Sequence, residues 1–334
     1  MTIKKRGVNM RRNLLMMFND LKESGSESDW PYLLGDTMHK TLLERFKGFP
    51  SPWRQYCKTG RLSDFRNHDR IILSEAPDLL KVGVDGVYQD AKFSDRRYRL
   101  KADTYGRTFT VGRRAIINDD LDGILAMPKM FGRASIRSLV KTILEMLSGA
   151  YNAYDGSALF AVAHGNYGDT ALANTAAGMA AVAAGMAAIE GATDPDTDEP
   201  LGLTAKYILT GTTLGQISEQ LVKSAQILPT STNGGGTYNS VGRLTPLIDP
   251  LVDSQLSSTA WFILADPADA PTIEVGFLDG KEEPDLLVSK PEMKSLAGGN
   301  EDPYGYEFDE LKYKVRWDWG VQLGYYQSVY RGKE

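Results

Sequence analysis

The stretch from residue 82 to residue 112 constrains the fold most, because apolar side chains are interleaved with polar ones at roughly alternating positions. Such alternation, with turn-forming residues at Asp95 and Gly106, predicts two or three long strands in a ribbon. Between Asp90 and Arg114 the chain has eight basic and three acidic residues, a local charge of +5. A ribbon this polar cannot build a hydrophobic core by itself. It therefore needs another surface to pack against.

The charges of this ribbon are the first candidate functional residues. Strand alternation places Arg97, Arg99 and Lys101 on one face, and Arg96 with Tyr98 on the other. A tyrosine among cations is typical of surfaces that bind single-stranded nucleic acid. The split between two faces is compatible with another role, pairing with acids of a neighbouring subunit. The candidate subunit-interface residues are Lys92, Arg96, Arg97, Tyr98, Arg99 and Lys101.

A long amphipathic helix follows the ribbon. Apolar residues recur at helical spacing over residues 136–151, which predicts one helix with a single buried face. The side-chain oxygens of residues 118–120 suit a helix N-cap, Pro128 predicts an interruption, and Gly149 predicts the end of the helix. A shorter amphipathic helix is expected over residues 36–46.

The composition changes after the long helix. Residues 155–210 are rich in Ala and Gly and contain seven acidic residues and one basic residue, which predicts a second domain. Gly178 and Gly185 lie two helical turns apart, so one face of a helix there can approach another backbone closely. Periodicity predicts further strands over residues 206–210, 260–265, 272–277, 311–317 and 321–330, and a helix over 214–225.

Composition also excludes several classes of protein. Cys57 is the only cysteine among 334 residues, which excludes an intrachain disulfide framework and any site of several thiolates. We expect it to be an unreactive, half-buried side chain. The formal net charge of -5 argues against a dedicated nucleic-acid-binding protein. Residues 170–189 have no formal charge but consist mostly of Ala, Gly and Thr, so a soluble helix is predicted rather than a membrane span.

Catalytic, cofactor and metal motifs are incomplete throughout the sequence. His39, His68 and His164 are isolated, so no pair has the spacing of metal ligands, and His164 is expected to be a turn residue bonded to nearby backbone. Residues 276–281 resemble a phosphate-binding loop, but the spacing is one residue short and Glu282 stands where Ser or Thr is required. The sequence therefore predicts no catalytic, cofactor-binding or metal residues.

Five segments match one known family in the order in which the family has them. The segments are RLKADTYGRTFTVGRRAIINDD (residues 99–120), LFAVAHGN (159–166), PLGL (200–203), WFILADP (261–267) and YKVRWDWG (313–320). They resemble the Mu-type major head subunit family of tailed bacteriophages, whose members have the Hong Kong 97-type capsid fold. The resemblance covers most of residues 45–330. Five matches in the right order are much harder to obtain by chance than one.

The resemblance implies an α+β fold with four parts. These are an N-terminal arm with a short helix, an extended loop formed by a β-hairpin, a peripheral domain with a long spine helix, and an axial domain. The expected ranges are 1–55 for the arm, 84–113 for the extended loop, 56–83, 114–158 and 289–334 for the peripheral domain, and 159–288 for the axial domain.

The function implied by the resemblance is structural, with no enzymatic activity. The expectation is a major capsid protein that self-assembles as pentamers and hexamers into an icosahedral shell around double-stranded DNA, without sequence specificity. Because no long acidic or coiled-coil prefix precedes the arm, we expect a separate scaffolding protein, together with a portal and decoration proteins. The expected location is the virion capsid, with assembly in the host cytoplasm. A cellular nanocompartment shell of the same fold and a soluble enzyme are the alternatives.

The arm has a basic composition. Its first twelve residues contain five basic and no acidic side chains, and such cations are stabilised by phosphates or by acidic partners. We expect them on the inner side of the shell or against a neighbouring subunit. They are Lys4, Lys5, Arg6, Arg11 and Arg12.

Overall fold

The structure is a computed structural model that describes residues 30–76, 78–82, 86, 90, 94–117, 121–224, 226–227, 237–289, 293–294, 301–302 and 309–332. The helices are α1 (Trp30–Lys47), α2 (Trp53–Tyr56), α3 (Arg113–Ile117), α4 (Leu121–Met146), α5 (Ala176–Glu190), α6 (Thr212–Lys223) and α7 (Val252–Gln255). The strands are β1 (Lys58–Leu62), β2 (His68–Leu73), β3 (Asp95–Leu100), β4 (Asp103–Gly112), β5 (Ala205–Thr210), β6 (Gln226–Ile227), β7 (Thr237–Tyr238), β8 (Thr245–Ile248), β9 (Trp261–Ala265), β10 (Ile273–Leu278), β11 (Asp285–Val288), β12 (Met293–Lys294), β13 (Glu301–Asp302), β14 (Glu310–Leu323) and β15 (Val329–Arg331).

The chain divides into two compact units. The first unit comprises residues up to Gly48, Tyr105–Ser135 and Glu283–Trp317, and the second comprises Phe49–Thr104, Ile136–Glu282 and Asp318–Glu334. This division follows packing within one chain, whereas the arm, extended loop, peripheral and axial parts are defined by their places in a shell. The predicted domain ranges therefore stay a prediction.

The first unit is built around the N-terminal half of β14. Along this half, buried and exposed side chains alternate, because successive residues of a strand point to opposite faces. β14 pairs antiparallel with β11 here and also pairs with β4. Phe109 of β4 stacks between Phe131 of α4 and Tyr313 of β14, with ring centroids 5.0 and 5.2 Å apart. Aromatic stacking thus joins helix and sheet in the core of this unit.

Gly106 has a different role from the predicted one. It lies inside β4 rather than in a turn, and a Cβ atom there would lie 2.7 Å from the carbonyl oxygen of Val315. In a sequence, a glycine can indicate either a turn or a close approach of two backbones. At Gly106 the structure has a close approach.

Helices α1 and α4 also meet in the first unit. Met38, Leu42 and Phe46 recur every four residues along α1 and are buried, so the helix predicted over residues 36–46 is confirmed and is longer. A Cβ atom on Gly132 of α4 would lie 2.4 Å from the Leu42 carbonyl oxygen. The two helices therefore cross at closer range than any larger residue would allow.

The long helix was predicted correctly in its apolar face but not in its bounds. Ile136, Leu139 and Ile143 are almost completely buried, whereas Tyr151 lies beyond the helix and is partly exposed. Pro128 lies inside α4 and does not interrupt it. The proline removes a single backbone donor within the first part of the helix, and the predicted cap at residues 118–120 lies outside the described residues.

The second unit contains a mixed sheet in the order β15, β9, β5, β8. All five residues of β9 are buried, which indicates a strand covered on both faces, and side chains of α5 and α6 belong to the same core. The close approach of backbone expected at the α5 glycines is confirmed at Gly178 only, where a Cβ atom would lie 1.9 Å from the Ala173 carbonyl oxygen. At Gly185 the close neighbours are side chains, and a Cβ atom there would lie 2.6 Å from the Tyr330 ring.

A second set of strands in this unit holds the C-terminal half of β14. β10 pairs in parallel with β1 and antiparallel with β14 at residues 319–323. The prediction of separate strands over residues 311–317 and 321–330 is wrong, since β14 is continuous to Leu323. A 3₁₀ turn at Tyr326–Ser328 and the short strand β15 follow it.

The ribbon has a different strand pairing from the predicted one. β3 pairs antiparallel with β2, from His68 opposite Leu100 to Leu73 opposite Asp95. β4 pairs with β14 instead. Local alternation predicts strands but not their partners, and β3 and β4 do not pair with each other as a hairpin of these two strands would require. No helix among the described residues combines the length and the hydropathy needed to cross a bilayer.

Candidate subunit interface

The ribbon of β2 and β3 has two chemically different faces. Opposite residues of antiparallel strands point to the same side, so Arg70 and Ile72 share an inner face with Tyr98. The outer face carries three cross-strand pairs. These are Asp69 with Arg99, Ile71 with Arg97, and Leu73 with Asp95.

The first anchor of the inner face is a buried carboxylate on β10. Glu274 is 3% exposed, and its Oε1 accepts a hydrogen bond of 2.9 Å from Arg70 Nε, while its Oε2 accepts one of 2.7 Å from the Tyr98 hydroxyl. Burial first, and then this hydrogen bond, raise the pKa of Tyr98 well above its usual value. A Cβ atom on Gly60 would lie 2.6 Å from Glu274 Oε1. Glycine at this position therefore leaves room for the carboxylate.

A small apolar contact lies at the base of the ribbon. Leu100, at the end of β3, forms a buried cluster with Leu62 and Ala102. A Cβ atom on Gly276 of β10 would lie 2.8 Å from Leu100 Cδ2. The ribbon thus begins with its inner face packed closely against β10.

The second anchor is the polar turn that begins at Asp194. Asp194 Oδ2 accepts a hydrogen bond of 2.7 Å from the backbone N–H of Glu75, just after β2. Asp196 accepts from the Ser94 hydroxyl at 2.6 Å and from the Arg96 guanidinium. The hydrogen bond from Ser94, followed by that from Arg96, lowers the pKa of Asp196. The turn therefore binds both strands of the ribbon at the end where the 74–94 connection begins.

The outer face of the ribbon is exposed and mixes charge with apolar surface. The Asp69 carboxylate contacts Arg97 Nη1 and Arg99 Nε, each at 3.2 Å. Ile71 and Leu73 follow on the same face and are 66% and 68% exposed. Isolated apolar residues are common on protein surfaces, but adjacent ones rimmed by charges mark sites of interaction.

The predicted interface residues are divided between these environments. Arg97 and Arg99 share a face, as predicted, but their acidic contact is Asp69 of their own chain. The surface that the ribbon needs lies, for its inner face, within its own subunit, because Tyr98 is buried there. Arg96 binds Asp196, and Lys101 contacts Asp103 at 3.2 Å. The other predicted residues lie outside the described part of the chain; they are Lys92 and the arm cations Lys4, Lys5, Arg6, Arg11 and Arg12.

Four residues that form the two faces of the ribbon or anchor it were not predicted from the sequence. Ile71 and Leu73 could have been found, because they belong to a run of three apolar residues in β2, and a strand places the first and third residues of such a run on the same face. Asp69 lies in the same strand. Glu274 gave no signal, since it is 204 residues from Arg70 in sequence and looks like an ordinary strand residue.

His164 and Cys57, two residue types often found in catalytic sites, lie in structural settings here. His164 Nδ1 lies 3.2 Å from the Leu159 carbonyl oxygen, and its Nε2 lies 2.8 Å from Asp155 Oδ2. Its ring stacks on Tyr326 with centroids 3.9 Å apart. The prediction of a turn histidine bonded to nearby backbone is therefore confirmed. Burial raises the pKa of the Cys57 thiol, and the described residues contain no cluster of His, Cys, Asp and Glu that could hold a metal ion.

The sequence of this chain matches the model of a known protein family. The model of the phage capsid protein family matches residues 97–332, well over half of the chain. The chain belongs to the phage capsid protein family. It is accordingly a major capsid shell protein, and its place is the virion capsid. No curated protein sequence matches it significantly.

Solved structures agree with this assignment at the level of the fold. The capsid protein is similar to a chain of Gordonia phage Cozz, with 11% identity, a TM-score of 0.51, and coverage of 83% of this chain and 84% of that one. It is similar to a chain of Mycobacterium phage Bobi, with 12% identity, a TM-score of 0.50 and coverage of 85% and 90%. It is also similar to a virus-like particle from Pyrococcus furiosus, with 10% identity, a TM-score of 0.50 and coverage of 89% and 98%. The fold is of the Hong Kong 97 type, as predicted.

Proposed function

We propose that this capsid protein assembles as pentamers and hexamers into an icosahedral shell that encloses double-stranded DNA. Membership of the phage capsid protein family supports the shell. The DNA, its lack of sequence specificity and the symmetry are the proposal. Because the family is structural, we also propose that the chain has no enzymatic activity.

The ribbon of β2 and β3 is the proposed extended loop. It begins at residue 68 and ends at residue 100, whereas the range expected from the sequence was 84–113. Its inner face binds the subunit to which it belongs, and its outer face lies over a neighbouring subunit. The observation that carries this assignment is the exposure of Ile71 and Leu73 beside the Asp69, Arg97 and Arg99 cluster. Contacts of this kind are weak one by one, but symmetry repeats them at every copy of the interface.

The proposed partners follow from the assembly. They are further copies of this chain, a separate scaffolding protein, a portal, decoration proteins and the packaged DNA, with assembly in the host cytoplasm. The arm cations are proposed to lie on the inner side of the shell or against a neighbouring subunit.

Negative-stain electron microscopy of the purified chain, alone and with its scaffolding protein, tests the proposal. Closed isometric particles are expected, and only monomers or small oligomers under both conditions would contradict it. The nucleic-acid content of particles from infected cells separates a DNA container from a nanocompartment that encloses protein. Particles filled with protein cargo and free of DNA would favour the nanocompartment.

A further inference from the structure

The basic residues of α4 form a single row. The helix contains four of them, each four residues after the last, and its acidic residues stand only near its two ends. Residues four apart lie on one ridge of an α-helix, with an axial rise of about 6 Å between neighbours and about 18 Å over the whole row. The row consists of Lys129, Arg133, Arg137 and Lys141.

This row has no acidic partner among the described residues. Arg133, Arg137 and Lys141 are exposed, and Lys129 is half-buried. In the part of the chain that the structure describes, none of the four forms an ion pair, whereas exposed arginines elsewhere, such as Arg243 with Glu190, do. Like charges four residues apart repel one another and lower the stability of a helix. A helix face that carries this repulsion in the free subunit is suited to a polyanion in the assembly.

We propose that the cation row of α4 binds the phosphate backbone of the enclosed DNA. Double-stranded DNA carries one charge per about 1.7 Å of its axis with both strands counted, so a row of about 18 Å spans a length of duplex with roughly ten phosphates, of which it faces only those on one side. The side chains beside the row include Ala126, Met130 and Ser138, which offer no ring for base stacking and no amide for reading base edges. Contacts of this kind suit the backbone of any DNA sequence. The inference rests on the proposed function and adds to it a surface that holds the genome.

The test uses the full chain with Arg133→Gln, Arg137→Gln and Lys141→Gln combined. Binding to a 30-base-pair DNA duplex is measured by fluorescence anisotropy at several salt concentrations. Each lost phosphate contact reduces the slope of log affinity against log salt by about 0.9, so the slope is expected to fall in magnitude by about 2.7. The matched control replaces Lys58, Lys312 and Lys314 by Gln, since these lysines are also exposed and the change in net charge is the same. The control is expected to keep the slope of the unchanged protein.

Two results would overturn the inference. An equal change of slope in both triple variants would mean that net charge alone matters. Polyglutamate of the same charge as the duplex is the second probe. If it binds as tightly as DNA and loses as much affinity in the row variant, the partner is an acidic protein segment instead.

Electron microscopy of the same samples separates this inference from the proposed function. Normal shells from the row variant with an unchanged salt slope would reject the DNA contact and leave the shell standing. Absence of shells from the unchanged protein would reject the proposed function, while the anisotropy result would still decide whether the row binds DNA. Circular dichroism of each variant establishes that the helix content is unaltered.

Discussion

At the scale of single residues, the side chains that hold the ribbon come from distant parts of the sequence. Glu274 lies opposite Arg70 and Tyr98 because β10 passes beneath the ribbon, and Gly60 on β1 is the neighbour that leaves space for it. A buried carboxylate is tolerated only when charge and hydrogen bonds compensate for lost water. Here one guanidinium and one hydroxyl supply both.

The first prediction concerns this carboxylate. Glu274→Gln keeps the shape of the side chain but removes its charge, so the ion pair with Arg70 is lost. We expect the free energy of unfolding, measured in urea, to fall by about 2 kcal/mol. The control is Glu282→Gln, which removes a partly exposed ion pair with Arg54 and should cost under about 1 kcal/mol. Equal losses in the two variants would refute the anchor.

The second prediction concerns the pH dependence of the other anchor. Since the pKa of Asp196 is lowered in the folded chain, its stabilising effect is present above the unfolded pKa of about 3.9 and is lost as the pH falls through the folded value. The difference in unfolding free energy between the unchanged protein and Asp196→Asn should therefore be constant from neutral pH to about pH 4 and vanish below.

Asp78→Asn is the control for this pH series, because Asp78 is exposed in the connection after β2. Its difference from the unchanged protein should stay near zero at every pH. A difference for Asp196→Asn that grows as the solution becomes more acidic would have the wrong sign for this anchor.

At the scale of elements, periodicity within one segment predicted more than pairing between segments. The apolar face of α4, the buried strands β5 and β9, and the helix α6 follow from side-chain spacing alone. The partner of β3 does not, because the alternation of a strand is the same whichever strand lies beside it. Pro128 and Gly106 misled for a related reason, since each has one role in a turn and another in a packed element.

The third prediction tests the crossing of α1 and α4. Gly132→Ala introduces a Cβ atom 2.4 Å from the Leu42 carbonyl oxygen, so the helices must separate. We expect the free energy of unfolding to fall by about 1–3 kcal/mol. Gly112→Ala is the control, because a Cβ atom there meets no atom within 4 Å, and the change should stay within about 0.5 kcal/mol. A neutral Gly132→Ala would mean that the helices are further apart.

At the scale of the whole molecule, the family and the fold could be predicted from the sequence, but the division of the ribbon into a bound inner face and an exposed outer face could not. The five matching segments indicate the family, and membership of the family implies the fold. Which face of the ribbon is bound and which is exposed depends on which of its charged side chains have partners within the chain. Asp69 and Asp196 occupy positions that only the folded chain brings near Arg97, Arg99 and Arg96.

The fourth prediction separates folding from assembly. Ile71→Ser combined with Leu73→Ser removes exposed apolar surface, so the melting temperature of the subunit should be nearly unchanged. Closed particles should become rare in electron micrographs, because the outer face would no longer have its apolar contact. Val162→Ser is the control, since Val162 is more exposed than either residue and lies outside the ribbon, in the 3₁₀ helix Val162–His164. Normal assembly of the double variant would exclude this face as an interface.

The two anchors of the ribbon also limit where a shell of this protein can adjust its curvature. A rod fixed at two points along its length can neither slide nor swing at its base, and Glu274 and Asp196 hold the ribbon at two such points. In the proposed shell, pentamers and hexamers present their neighbours at different angles. The anchored part of the ribbon cannot absorb this difference, so in that shell the adjustment must take place elsewhere.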